Sequence, residues 1–84
     1  MVDKMERQGI PLVDIPPGQK ARIIHIVGGV GFKHRLNIMG IIEGKIIKII
    51  TRQPFRGPIT IKVNGTSMTI GRGMAQKILV EVVK

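Results

Sequence analysis

RLNIMGIIEGKIIKII, residues 35–50, carries nine large apolar side chains in sixteen positions, with Gly40 and Gly44 set among them. A bilayer-spanning helix needs ~20 largely apolar residues. Asn37, Glu43, Lys45 and Lys48 interrupt this run, so it does not cross a membrane. Its spacing describes a joint instead. Phe32, Leu36 and Met39 fall at i, i+4 and i+7, one face of a helix running through GFKHRLNIMG. Lys33, His34 and Asn37 lie away from that stripe, with Arg35 nearer its flank. Gly40 then fits C′, the position that favours a left-handed residue. With Gly40 at C′, Leu36 is C3 and Ile41 is C″, the pair that makes the hydrophobic contact of a Schellman stop. Residues 42–45 (IEGK) form a tight turn, and 46–52 (IIKIITR) a strand.

That strand is apolar on both sides, with Ile47 and Ile49 on one and Ile46 and Ile50 on the other. A barrel interior hides only one face. The second face is expected to be covered within the monomer by the helix or the leading segment, the alternative being a contact between copies.

Working outward, residues 20–27 (KARIIHIV) read as a strand ended by Gly28-Gly29. Residues 59–63 (ITIKV) alternate cleanly and meet 66–70 (TSMTI) across Asn64-Gly65, a type I′ hairpin signal. Residues 71–77 (GRGMAQK) have room for one helical turn, and 78–83 (ILVEVV) close the sheet. Residues 1–9 are polar and expected to fray. Residues 10–19, rich in proline, form an extended or turn-rich lead-in anchored by Leu12 and Ile15. The expected fold is mainly β: one domain over residues 10–84, a small barrel of about five strands with one short helix between the first two and a helical turn before the last.

The chain has 84 residues, no cysteine, and a formal net charge of +9 from 14 basic and 5 acidic residues. It has no disulfide framework and no thiolate metal site. The first residues, MVDKMERQG, lack the apolar stretch of a signal peptide, so a cytoplasmic location is expected. The positive field attracts nucleic acid, anionic lipid or an acidic protein, and is equally the composition of a soluble surface.

Catalytic chemistry has little to work with. Residues 28–34 (GGVGFKH) match neither the P-loop nor the dinucleotide fingerprint. Asp3, Glu6, Asp14, Glu43 and Glu81 form no pair at useful spacing, and no hydroxyl carries a nucleophile signature. His25 and His34 are the only histidines, short of the three ligands a catalytic zinc site usually takes. We expect no enzyme, no cofactor and no metal site; Fe(II) binding by the two histidines is the weakest reading. A basic β-barrel binding RNA or DNA is the competing function. Single-strand binders stack bases on aromatic rings, however, and the chain offers only Phe32 and Phe55.

The order of these features resembles the ferrous iron transport protein A family, over about residues 10–83. The resemblance is carried by Leu12, Ile15, Gly18, Ala21 and Ile23; by Arg35, Leu36, Met39, Gly40, Ile41 and Gly44; by Pro54, Phe55, Pro58, Ile59 and Ile61; and by Ala75, Ile78 and Val80. It implies an SH3-like barrel and a non-enzymatic role: binding the cytosolic part of a membrane ferrous iron permease that carries a GTP-binding domain, and regulating or stabilising it. The loop that commonly reads P-h-G-D-P in that family (h, hydrophobic) is Pro54-Phe55-Arg56-Gly57-Pro58 here. An arginine appears and a carboxylate is missing, which argues against a metal role for the loop. The same module ends some metal-dependent repressors that carry a helix-turn-helix domain upstream; a free-standing protein is expected here. The expected partner surface is Lys33, Arg35, Phe55 and Arg56, an apolar anchor ringed by basic groups.

Overall fold

The computed structural model describes residues 9–52 and 57–83, with the side chain of Arg52 left aside. The expectation of a frayed terminus therefore lies, for residues 1–8, outside the described residues. Strands β1 (Ile10–Pro11), β2 (Lys20–Ile26), β3 (Ile46–Arg52), β4 (Ile59–Val63), β5 (Thr66–Ile70) and β6 (Ile78–Val83) form one antiparallel sheet. Their order is β1-β6-β2-β3-β4-β5. Helix α1 (Val30–Ile38) joins β2 to β3, and the single turn α2 (Arg72–Ala75) joins β5 to β6. The sixth strand, beyond the five expected, is the two-residue β1. It lies at the edge of the sheet, where proline is tolerated, and ends at Pro11 as the chain enters a 3-10 turn at Leu12–Asp14.

Packing follows the pattern. The inner face contributes Ala21, Ile23, Ile47, Ile49, Ile59, Ile61, Val63, Ile70, Ile78 and Val80, all buried. Ile26 at the end of β2, Leu12, Val13 and Ile15 of the lead-in, Leu36 and Ile41 around the end of α1, and Ala75 of α2 complete the core. The lead-in is tied to β3 by main-chain bonds, Gly18 N–H to Ile49 O at 2.7 Å and Ile49 N–H to Gln19 O at 3.0 Å. Burying each of the large aliphatic side chains contributes about 1.5–3 kcal/mol before conformational entropy is counted.

The hairpin turn is as expected, with positive φ at both Asn64 (53°) and Gly65 (80°). Two bulges are not visible in the sequence. In β2, Ile23 pairs with Val80 but His25 pairs with Leu79, so Ile24 is the extra residue. The phase of the strand reverses there: Ala21 and Ile23 point inward, then Ile26 does, and His25 is turned to the surface. In β3 the register slips between Ile49 and Thr51, leaving Ile50 unpaired against β4.

The expected cover over the outer face of β3 is absent among the described residues. Ile46 and Ile50 keep 45% and 37% of their surface accessible. Helix α1 packs Leu36 fully and Phe32 partly onto the core instead, and the lead-in lies against the inner side. Neither element crosses the outer face of the sheet. Met39, expected on the helix's core face, sits at the C-cap and is 36% exposed, because the chain has begun to turn away there.

A candidate partner-binding surface beside helix α1

The surface is built around the end of α1. Met39 caps the helix and Gly40 follows with φ +91°, a backbone conformation that costs an L-residue about 1–2 kcal/mol. Ile41 N–H donates to Leu36 O at 2.9 Å and Gly40 N–H to Asn37 O at 3.0 Å. That pair of bonds is the Schellman stop, with Leu36 and Ile41 both fully buried beneath it. The next four residues form a β-turn closed by Lys45 N–H to Ile42 O at 3.0 Å. Gly44 supplies the positive φ (+92°) that a type II turn needs at its third position. The turn is pinned to β2 from both sides, Gly44 N–H donating to Ile23 O at 2.6 Å and Ile23 N–H to Lys45 O at 2.9 Å.

Fixing the turn against β2 leaves a crevice between it and α1. Its deeper part, about 240 Å³, is lined by Ile26, Lys33, Asn37, Ile42 and Glu43. A wider depression of about 530 Å³ continues along Ile42, Glu43, Gly44, Lys45 and Ile46. Ile42 and Glu43 belong to both, so the two make one groove running from α1 to the start of β3. At its side the His25 Nδ1 lies 3.6 Å from Glu43 Oε2, both groups half exposed. The β2 bulge is what brings this histidine to the surface. An exposed pair of this kind contributes at most ~1 kcal/mol.

Of the residues expected to bind a partner, Lys33 is half-buried and lines the groove, while Arg35 is exposed on α1 and does not line it. Residues two apart on a helix face different ways. Phe55 and Arg56 lie outside the described residues. Phe32 is packed against the core with Lys77 Nζ 5.2 Å from its ring centre, so it is not presented for base stacking. His34 stands on the exposed side of α1, away from the core stripe. Among the described residues no three His, Asp or Glu side chains come together in a way that could hold a metal ion.

Two residues that the sequence reading passed over are the most exposed large apolar groups described: Val30 at 87% and Ile38 at 73%. With His34 they fall at i, i+4 and i+8, one stripe of α1 opposite Phe32 and Leu36. The helix therefore carries apolar side chains on both sides, and a helical projection of residues 30–38 contains that signal. Ile42, 43% exposed, adds an apolar wall where this side of the helix meets the groove. The arrangement offers a short exposed helix and a neighbouring cleft lined by two cationic groups, Lys33 and Lys45.

The fold is that of a small SH3-like β domain, with a groove beside its one substantial helix. A FeoA domain model matches residues 10–82, and the chain belongs to that family. It is 39% identical over 71 residues to a putative Fe(2+) transport protein A of Methanocaldococcus jannaschii, covering 84% of each chain. It is 29% identical over 72 residues to an Fe(2+) transport protein A/Fe(2+) transporter FeoB fusion protein of Porphyromonas gingivalis; the match takes in 86% of this chain and 8% of that one. The crystal structure of an iron uptake regulatory protein (FeoA) superposes with a TM-score of 0.82 at 34% identity, over 88% of this chain and 97% of its own. The SH3-like architecture implied by the resemblance is thus the observed one. No helix among the described residues is long and apolar enough to cross a membrane.

Proposed function

We propose that the protein is a non-enzymatic, cytoplasmic accessory of ferrous iron uptake, which binds the cytosolic region of an Fe(II) permease and regulates or stabilises it. The observation that carries this reading is the relative in which a transport protein A and a FeoB transporter form one polypeptide. Fusion fixes two modules at high effective concentration, which is productive when they act on one another. Iron is cargo in this scheme, and this chain supplies contacts to the permease and none to the ion.

The docking face we assign is the outer stripe of α1 with the adjoining groove. Val30 and Ile38 are the apolar anchors, Ile42 extends them, and Lys33 sets a positive charge at the rim. Burying an anchor of this size at an interface contributes about 1–2 kcal/mol. Calorimetric titration of the permease's purified cytosolic region with this protein tests the reading. Saturable one-to-one binding, weakened severalfold by Lys33→Glu, is expected. Absence of binding at high micromolar concentration contradicts it.

A further inference from the structure

The register of the sheet aligns three lysines in one row. Lys20 of β2 stands opposite Lys48 of β3, and Lys48 stands opposite Lys62 of β4. Opposed residues on neighbouring strands lie about 5 Å apart, and all three side chains are exposed on the outer face. Like charges placed directly opposite are destabilising. The neighbouring rows are arranged differently. In one, Arg22 meets Glu81 at 3.0 Å; in the other, Thr60 and Thr69 share a hydrogen bond of 3.0 Å. No described carboxylate pairs with any lysine of the middle row. Along β3 the row is flanked by the two uncovered isoleucines, Ile46 before Lys48 and Ile50 at the bulge after it.

We propose that this face, centred on the lysine row and meeting the groove beside α1 only at Ile46, binds an acidic polypeptide segment that carries apolar side chains between its carboxylates. Charge complementarity sets the sign of the partner, and the isoleucines set its class. A second copy of this chain is disfavoured, because the lysine row would meet its own like. A nucleic-acid backbone would neutralise the lysines and leave Ile46 and Ile50 facing water. An anionic bilayer would meet the ammonium groups first, since lysine is the longer side chain, and the isoleucines would stay beneath the headgroups. A side chain projecting from a polypeptide enters between the lysines and reaches both.

The test is a nuclear magnetic resonance titration of the full chain with a short peptide alternating glutamate and leucine. Three other probes run beside it: the same peptide with serine for leucine, oligothymidine of equal charge, and phosphatidylserine vesicles. Amide shifts centred on Lys20, Ile46, Lys48, Ile50 and Lys62 are expected with the first peptide. Lys48→Glu should weaken its binding about tenfold, because it replaces an attraction to the peptide's carboxylates with a repulsion. The leucine-free peptide should bind at least severalfold more weakly. Because Lys48→Glu separates like charges, its melting temperature should be no lower than that of the parent, so lost binding is not lost fold. Failure of the peptide to shift these amides overturns the proposal, as does binding unaffected by Lys48→Glu. Binding of oligothymidine or vesicles as tight as that of the leucine peptide overturns the choice of a polypeptide.

Discussion

The hairpin β4–β5 and the joint formed by α1, its turn and β3 use apolar residues in opposite ways. In the hairpin every large aliphatic side chain points inward: Ile59, Ile61, Val63 and Ile70 are buried, and Thr60, Lys62, Ser67 and Thr69 face out. In the joint the inward set is complete as well, with Leu36, Ile41, Ile47 and Ile49 all buried. Yet Val30, Ile38, Ile42, Ile46 and Ile50 remain exposed. A domain of this size already needs its inward residues to fold. The hairpin shows what folding alone requires, and the joint carries a surplus. That surplus is where we place recognition.

Substitutions that treat the two regions alike come first in size. Leu36→Ala in the joint and Ile61→Ala in the hairpin should each destabilise the protein by about 2–5 kcal/mol, measured by denaturant unfolding. A large gap between them would break the claim that both inward faces are complete. Next is Gly40→Ala. An added Cβ would meet Val63 and Asn64 only at ordinary contact distance, 3.5 Å. The cost is therefore that of the positive φ, about 1–2 kcal/mol, and a thermal melt should show a drop of several degrees.

Outward substitutions sharpen the contrast. Val30→Ser and Ile46→Thr should change stability by no more than about 0.5 kcal/mol, because both side chains are exposed on the surface. A loss several times larger at Ile46 would mean that the outer face of β3 is covered after all. The smallest effect is expected at Lys48→Thr. Removing the middle charge of the row should raise stability by a few tenths of a kcal/mol. The gain should shrink with added salt, since exposed charges are screened beyond about 8 Å at physiological ionic strength.

Much of the architecture was legible in the sequence because each signal is local. Asn64-Gly65 dictates its turn, and the Leu36/Gly40/Ile41 arrangement dictates the end of α1. The alternation at residues 59–63 dictates a half-buried strand. What escaped depends on register. The bulge at Ile24 reverses the phase of β2 and brings His25 to Glu43, eighteen positions away in the chain; neither residue announces it. The lysine row joins positions 20, 48 and 62, which only the pairing of three strands places side by side. The candidate surface was half visible. Lys33 lines the groove, but Val30 and Ile38 were passed over because a core stripe at Phe32 and Leu36 satisfied the helical pattern by itself. Cover for Ile46 and Ile50 was expected from economy of packing, and the fold leaves both exposed.

The central claim is that the outward apolar residues of the joint are there for a partner. It is tested most directly by titrating the permease's cytosolic region with the parent protein and with the double variant Val30→Asp/Ile38→Asp, with Thr69→Asp on the hairpin as control. The account predicts at least about tenfold weaker binding for the double variant, with melting temperature and amide spectrum otherwise preserved, and little change for the control. Equal binding by the parent and a folded double variant would contradict it.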